Sequence, residues 1–516
     1  MMLPNRLMNQ SRLVVVEQMT LQHSPLAHYL AFCITTILSL IMYLPTMSSS
    51  IAGGDSGELV AEGCQLGTSH PPGYPLYTIL IYIVTQIIGG GVRGVLNMTT
   101  TNLNLNATPA LLVNGMSACF GAITSGFITS SVLYLIQMEH GNDTTSSTKR
   151  VKTTTPTTTT HDGTNKSPSK KATHNVDNQI KDWKALTGLV IAIGIGLLHS
   201  TSPLAWQYSI TAEVFALHSL FVSMILHTSI RFAIYGTQDL LLLGAFLCGT
   251  SLTNQHTSIL LIVPIISWVL YETQLYKPGY FWTRKINNDV IPLIFQAAFC
   301  FLIGFIFLYG TMPLWSMTFP HAGSWGNVSS IQGFLNHFRR KDYGTFRLFS
   351  GNDDESENVY QRTILWFHDY FHVQATPIFG TLTMIGCWMV LQKEIKHMWK
   401  SLSSSAVVDV DDVHVGKSKS TKTMSLIQTT GLKHTSIDIR TMILCSLVFY
   451  LVVFHSLANL PLNNPLFFGV HQVSVGALIS MILHITVIWT TNNFLLSAVL
   501  DASEYTLLYP FRCWSF

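Results

Sequence analysis

Residues 27–48 read AHYLAFCITTILSLIMYLPTMS, an apolar run that contains no Asp, Glu, Lys or Arg. An α-helix needs about 20 mostly apolar residues to cross the hydrocarbon core of a bilayer, and this run is long enough. Comparable runs recur at 110–138, 184–205, 212–235, 290–312, 371–391, 441–458 and 473–491. The repetition predicts an all-α membrane protein, folded as a polytopic helical bundle.

The composition supports the same class. Of the 516 residues, 48% are hydrophobic and only 11% are charged. A soluble protein carries roughly 25% charged residues, a proportion that surface facing lipid does not need. The net charge of +3 is too small to indicate nucleic acid as a partner. The cysteines lie mainly within apolar runs, so the sequence predicts neither a disulfide framework nor a metal site.

Two apolar stretches need separate interpretation. The first, 239–272, is interrupted by the polar residues Thr253 to His256, which predicts two short spans meeting at a polar tip. With the eight runs above, these two make ten spans. The second, 74–89, is only about 16 residues long and opens near Pro75, so it is either a short span or a helix lying at the membrane interface.

The distribution of Lys and Arg indicates whether 74–89 is a short span or an interfacial helix. Basic residues near span ends prefer the cytosol. If 74–89 does not span, the basic loops at 139–183, 277–285 and 393–440 all face the cytosol. The interfacial reading is therefore preferred, and it predicts lumenal glycosylation sequons at Asn97, Asn106 and Asn327.

The loop after the first run carries a concentration of acids. Gly53 and Gly54 allow a tight backbone turn, and Asp55 or Ser56 can cap a helix running to about Leu66. Glu58 and Glu62 then lie one turn apart on one face. Solvated acids on an amphipathic helix are one reading. A functional site is the other, because acids held against a bilayer are costly.

The same loop continues as His70-Pro71-Pro72-Gly73-Tyr74-Pro75. The prolines fix an extended backbone and Gly73 lets the chain turn, so His70 is presented in a defined direction. A single histidine is more often structural than catalytic. The neighbouring acidic helix favours a functional role here.

These motifs resemble a known family. GGDSGELVAEGCQLGTSHPPGYPLYTIL at 53–80 resembles the first lumenal loop of the eukaryotic protein O-mannosyltransferases that modify plexin and receptor-kinase IPT domains, which are polytopic glycosyltransferases of the GT-C class. The likeness continues in family order through WQYSITAEVF at 206–215, LTNQHT at 252–257, QGFL at 332–335 with Arg340, YGT at 343–345 and NNPLFFG at 463–469.

The resemblance implies a reaction and roles for residues. The donor would be dolichyl-phosphate mannose, the acceptors Ser or Thr hydroxyls of secretory-pathway proteins such as IPT domains, and the stereochemical outcome inversion. The sequence identifies no other cofactor with certainty. Asp55 is predicted to be the catalytic base, with Glu58 and Glu213 orienting the acceptor or sugar hydroxyls. His70, Arg339 and Arg340 are candidates for stabilising the donor phosphate, with Arg340 the better match to the family, although Arg339 to Lys341 also reads as a solvated basic run. Further substrate-binding candidates are Tyr74, His256 and Tyr343.

The expected location is the endoplasmic reticulum membrane, with the active site lumenal and membrane lipid as a partner. The expected organisation begins with a cytosolic N-terminus at 1–26, followed in 27–138 by a first span, a catalytic lumenal loop and a second span. A disordered cytosolic loop at 139–183, a central helical bundle at 184–312 and a lumenal loop at 313–370 come next. The chain then continues with a span at 371–391, a second disordered cytosolic loop at 392–440, the last spans at 441–491 and an atypical tail at 492–516.

The chain also departs from the family pattern. Family members usually continue into a lumenal helical-repeat region, and after about residue 470 the likeness fades. Three alternatives therefore stay open: a GT-C relative using another polyprenyl-phosphate sugar or acceptor, an inactive partner-binding protein, and a transporter-like membrane protein. Few ionisable residues within the spans and no apparent inverted repeat weigh against a transporter.

Overall fold

A computed structural model describes residues 25–89, 108–150, 169–273, 290–320, 323–342, 358–374, 376–406 and 438–457. Regular structure in these ranges is helical throughout, so the all-α prediction is confirmed. In chain order the α-helices are α1 Pro25–Tyr43, α2 Ser56–Gln65, α3 Pro75–Tyr82, α4 Pro109–Arg150, α5 Ser169–Thr201, α6 Pro203–Ser209, α7 Val214–Tyr235, α8 Gln238–Leu252, α9 Ile259–Glu272, α10 Ile291–Thr318, α11 Ile331–Phe338, α12 Val359–Asp369, α13 Thr376–Ala406 and α14 Ile439–Leu457.

The centre of the bundle is α7, which packs against α4 and α8, while α4 also packs against α1 and α5. Leu226 and Ile230 on α7 are fully buried. Where α8 crosses α10, the backbones approach closely at two glycines. A Cβ at Gly304 would lie 2.7 Å from the carbonyl oxygen of Phe246, and one at Gly249 would collide with the backbone of Phe301. Small residues at such crossings let helices pack tightly within a membrane.

Five helices are long and apolar enough to cross a membrane. They match the predicted runs at 27–48, 110–138, 212–235, 290–312 and 441–458: Pro25–Thr46, Pro109–Met138, Val214–Tyr235, Ile291–Thr318 and Ile439–Ser456. The run at 184–205 is a sixth candidate in which α5 and α6 meet at an angle of 70°. A bend is expected there because Pro203 cannot continue the hydrogen bonding of α5.

The predicted number of ten spans is not reached among the described residues. The stretch 239–272 does form two helices that meet at a polar tip. These helices have only 15 and 14 residues, about 22 Å each, against about 30 Å of hydrocarbon. The predicted span at 371–391 begins in a π-helical turn, Tyr370–Gln374, and continues into α13, which is not among the candidate spans. The run at 473–491 lies outside the described residues.

Helices extend into both segments predicted to be disordered loops. The helix α4 continues to Arg150 and α5 begins at Ser169, so the loop prediction for 139–183 is wrong at both ends. Likewise α13 continues to Ala406. A low apolar content argues against a packed core, but extending an existing helix costs little because each added residue gains a hydrogen bond. Residues 151–168 and 407–437 lie outside the described residues.

Residues 74–89 form α3 followed by a π-helical turn, Ile83–Ile88. The combined helix is too short to count among the candidate spans, in agreement with the interfacial interpretation. Tyr77 and Ile81 are fully buried, and a Cβ at Gly63 on α2 would lie against Ile81. The helix is therefore packed onto α2 and the bundle by its own buried face.

Candidate active site

The loop end of the bundle, where α1 ends and α2 begins, is shaped by two glycines. Gly53 and Gly54 have φ values of 94° and 61°, a left-handed backbone that residues with a side chain rarely adopt. They turn the chain into α2, which starts at Ser56 with Asp55 in the N-cap position. The prediction that Asp55 or Ser56 caps this helix with its side chain is wrong. The Asp55 side chain forms no capping hydrogen bond, and its carboxylate is 57% exposed.

Glu213 takes over the capping role from a distant part of the sequence. The backbone N–H of Asp55 donates to Glu213 Oε1 at 3.0 Å, and the Ser56 hydroxyl lies 3.5 Å from the same oxygen. The first N–H groups of a helix lack partners within the helix, which explains why a carboxyl oxygen is held there as their acceptor. A Cβ at Gly54 would lie 2.8 Å from Oε1, so the close approach also depends on that glycine.

Burial changes the acidity of Glu213. Its side chain is only 7% exposed, and burial together with the negative charge of Asp55 raises the pKa of Glu213 to about 8, although hydrogen bonds from Asp55 and Ser56 oppose the shift. Two carboxylates thus lie in contrasting environments, one buried and one exposed. Such pairs characterise sites where one acid orients and the other exchanges a proton.

His70 connects Glu58 to Tyr74. The backbone N–H of His70 donates to Glu58 Oε1, and His70 Nδ1 lies 3.2 Å from both Glu58 carboxylate oxygens. On the other side of the ring, Nε2 lies 3.0 Å from the Tyr74 hydroxyl and 3.7 Å from Asp55 Oδ2. Burial raises the pKa of Glu58, but the hydrogen bonds and charge of His70 outweigh burial and bring the pKa below its ordinary value.

The turn that presents His70 is held by Gly73, as the sequence predicted. Gly73 has φ 95° and its N–H donates to the His70 carbonyl at 2.9 Å. A Cβ at Gly73 would collide with Met312 of α10 and lie 3.0 Å from Nε2 of His337. The loop therefore packs directly on α10 and α11, which fixes the direction of the His70 ring.

The two arginines after α11 differ in their surroundings. Arg340 has φ 53° and its N–H donates to the His337 carbonyl at 3.0 Å. Burial raises the pKa of Tyr74, and the positive charge of Arg340 opposes that shift, so Arg340 acts electrostatically on Tyr74. Arg339 is exposed to solvent. The structure thus brings Arg340 towards the acid–histidine cluster and leaves Arg339 outside it.

The polar tip between α8 and α9 borders the same region. His256 Nε2 lies 2.6 Å from the Tyr309 hydroxyl, and its ring packs against Phe338 with centroids 5.1 Å apart. Asn254 Nδ2 donates to the carbonyl of Val214 at 3.0 Å. Because Val214 follows Glu213, this amide helps to fix the start of α7. Asn254 belongs to the LTNQHT motif noted in the sequence, but nothing in the sequence showed that its side chain would bond to Val214.

Three further residues enter the site without having been predicted. Glu62 is buried and accepts a hydrogen bond from the Ser324 hydroxyl at 2.8 Å. His337 is 3% exposed, and burial lowers its pKa to about 4. Trp325 lies beside His70 with ring centroids 6.4 Å apart. Only the spacing of Glu62 from Glu58 gave any sequence signal for them.

The other predicted positions have simpler outcomes. Asn327 is exposed, as a glycosylation acceptor must be. Tyr343, Asn97 and Asn106 lie outside the described residues. Within the described part of the chain, His, Cys, Asp and Glu form no group of three or more arranged to hold a metal ion.

Comparisons with known proteins give results consistent with these motifs. Residues 55–278 match the family model described as the protein O-mannosyl-transferase TMEM260 N-terminal domain. The chain is 27% identical to protein O-mannosyl-transferase tmem260 of Dictyostelium discoideum, in an alignment covering 83% of this chain and 40% of that protein. It is 29% identical to protein O-mannosyl-transferase TMEM260 of Mus musculus, covering 59% of this chain and 33% of that protein. The chain thus spans well under half the length of these relatives, and no solved structure gives a significant match.

Proposed function

Because the chain is a relative of the TMEM260-type protein O-mannosyl-transferases, we propose that it transfers mannose from dolichyl-phosphate mannose to Ser or Thr hydroxyls of secretory proteins, with IPT domains as acceptors. The proposed location is the endoplasmic reticulum membrane with the loop end facing the lumen. The supporting observation is the convergence of Asp55, Glu213 and the Glu58–His70 pair at this end, beside Arg340.

The proposed base is Asp55. A Ser or Thr hydroxyl is too weak an acid to attack unaided, and a carboxylate within hydrogen-bond reach can accept its proton as the new bond forms. The Asp55 carboxylate is 57% exposed and so is accessible to a protein acceptor. The backbone N–H of Asp55 donates to Glu213. This bond holds Asp55 in position and does not use the Asp55 carboxylate.

In this mechanism the acceptor oxygen bonds to the anomeric carbon while the bond from that carbon to the phosphate oxygen breaks. The acceptor proton passes to Asp55 and the electron pair leaves with dolichyl phosphate. A single displacement inverts the anomeric configuration, so a β-linked donor gives an α-mannoside. General-base assistance contributes about 10²–10⁴ in rate.

The departing phosphate gains negative charge and needs stabilisation rather than protonation. Arg340 and His70 are the proposed donors, since His70 Nε2 lies 3.0 Å from the Tyr74 hydroxyl and the charge of Arg340 acts on the same tyrosine. Glu58 accepts from His70 Nδ1–H, so Nε2, which is directed towards Tyr74 and Asp55, donates to the phosphate only when the imidazole carries both protons. The exposed Arg339 is assigned no role in this mechanism.

The direct test is transfer by membranes that contain the full chain. We expect labelled dolichyl-phosphate mannose and an IPT-domain acceptor to give alkali-labile, mannosylated acceptor. Dolichyl-phosphate glucose in a parallel reaction distinguishes a GT-C relative that uses another sugar. Absence of transfer from every polyprenyl-phosphate sugar, with the chain expressed and inserted, would favour the inactive or transporter-like alternatives and refute this proposal.

A further inference from the structure

A short segment after α10 is attached to the first loop by three hydrogen bonds. The Ser324 hydroxyl donates to Glu62 Oε2 at 2.8 Å and accepts from the backbone N–H of Thr68 at 3.0 Å. The N–H of Trp325 donates to the Thr68 carbonyl at 2.9 Å. We call this arrangement of Glu62, Thr68, Ser324 and Trp325 the Glu62 clamp. It joins parts of the chain that are more than 250 residues apart, since 262 positions separate Glu62 from Ser324.

The clamp is buried and sterically specific. Glu62 is 4% exposed and Thr68 is 1% exposed. A buried carboxylate is costly unless it is hydrogen-bonded, so Glu62 depends on the Ser324 hydroxyl. A Cβ at Gly67 would collide with Glu62 Oε2, which means that only glycine leaves room for the carboxylate there. These features favour one fixed position for the backbone of Trp325.

The clamp places the Trp325 side chain at the acid–histidine cluster. Its ring centroid lies 6.4 Å from that of His70, with the ring planes at 73°. The indole is 39% exposed, although the Trp325 N–H and the preceding Ser324 side chain are hydrogen-bonded into the clamp. A large aromatic surface on an anchored backbone thus lies beside His70 and is partly open to solvent.

We propose that Trp325 is the binding surface for the sugar ring of the lipid-linked donor, and that Glu62 and Ser324 are positioning residues that hold it. This inference rests on the proposed function. The face of an aromatic ring is negative, so it attracts the weakly positive C–H face of a pyranose. It also attracts the positive charge that develops on the sugar when the bond to the leaving group breaks.

Substitutions at Trp325 test the binding surface. We expect Trp325→Ala to lower kcat/KM for dolichyl-phosphate mannose by about tenfold, while Trp325→Phe retains most of the activity because a ring remains. Trp399→Phe, near the end of α13 and also exposed, is the matched control and should behave like the wild type. Unchanged kinetics of Trp325→Ala in an active protein would overturn the inference while leaving the proposed function intact.

If no transfer is detected, a binding measurement separates the sugar-binding proposal from the proposed function. Tryptophan fluorescence of the purified chain should change on addition of dolichyl-phosphate mannose and much less with dolichyl phosphate, and Trp325→Phe should lose the difference. A Trp325-dependent signal without transfer would refute the function but support the sugar-binding surface. If the wild type shows neither transfer nor this signal, both proposals fail.

The positioning residues are tested by conservative replacement. We expect Ser324→Ala to raise the donor KM several-fold with little change in kcat, and Ser324→Thr to restore the wild-type KM because the hydroxyl is kept. Glu62→Gln should also be tolerated, since its amide oxygen can accept from Ser324. Equal loss in Ser324→Ala and Ser324→Thr would contradict a role through this hydrogen bond.

Discussion

The two ends of the bundle both contain histidines, but the residues around them differ. At the loop end, His70 lies between Glu58 and Asp55, and Glu213 is nearby. At the far end, where α1 begins, His28 Nε2 lies 2.7 Å from Gln137 Nε2.

The far-end cluster extends further along the helices. His227 Nδ1 lies 3.2 Å from the Ser131 hydroxyl, and the His28 ring stacks on Tyr134 at 4.1 Å. These hydrogen-bonding partners are neutral and the histidines are buried. Polar contacts of this kind join helices within a membrane. The comparison indicates that acidic partners and solvent access, rather than histidine itself, distinguish the loop end, where the active site is proposed, from the far end.

The largest effect should come from Asp55→Asn. The amide cannot accept the acceptor proton, so we expect transfer to fall by about 10²–10⁴, with expression and membrane insertion unchanged. The rate of mannose transfer by membranes of matched protein content is the measurement. Asp239→Asn, at the start of α8, serves as the control. Full activity of Asp55→Asn would contradict the role of Asp55 as the base, and with it the functional distinction between the loop end and the far end.

Arg340→Gln and Arg339→Gln form a matched pair at the loop end. We expect Arg340→Gln to raise the donor KM by about tenfold, because the phosphate loses one charge-assisted hydrogen bond, whereas the exposed Arg339→Gln should have little effect. Titration of the donor at saturating acceptor measures the donor KM of both variants. Equal effects in the two variants would mean that a general positive field, and not the position of Arg340, serves the donor.

The pH dependence of stability should reveal the buried Glu213. Its pKa is about 8 in the folded chain against an ordinary value of 4.5, so the folded state holds a proton that the unfolded state releases. Stability is therefore expected to fall as pH rises from about 4.5 to about 8, by about 1.4 kcal/mol for each pKa unit of the shift. Thermal unfolding in detergent across this range measures it. Glu213→Gln should flatten the profile, and an identical slope in that variant would contradict the assignment.

The smallest effect on activity is expected at the far end. Ser131→Ala removes the hydroxyl near His227, which should lower the free energy of unfolding by about 1 kcal/mol and leave the transfer rate unchanged. Parallel thermal-unfolding and transfer assays test this. A large loss of transfer without loss of stability would show that the far end takes part in the reaction.

Much of the site could be predicted because it is local in sequence. The acids and His70 lie within 16 residues, from Asp55 to His70, on a helix and turn whose glycines and prolines indicate their conformation. The capping role of the Asp55 side chain was predicted wrongly. The N-terminus of α2 is instead hydrogen-bonded by Glu213, which belongs to another element. Local helix propensity gives no information about a partner that is so distant in sequence.

The sequence by itself determined the helical membrane fold, since apolar runs of spanning length have few other stable arrangements in lipid. It also determined the family likeness and the acid–histidine loop. Only the tertiary structure decided that Glu213 holds the start of α2 and that Glu62 reaches Ser324. Those contacts join residues separated by 158 and 262 positions. Periodicity and propensity act over a few turns of chain, whereas contacts at such separations depend on how whole helices pack.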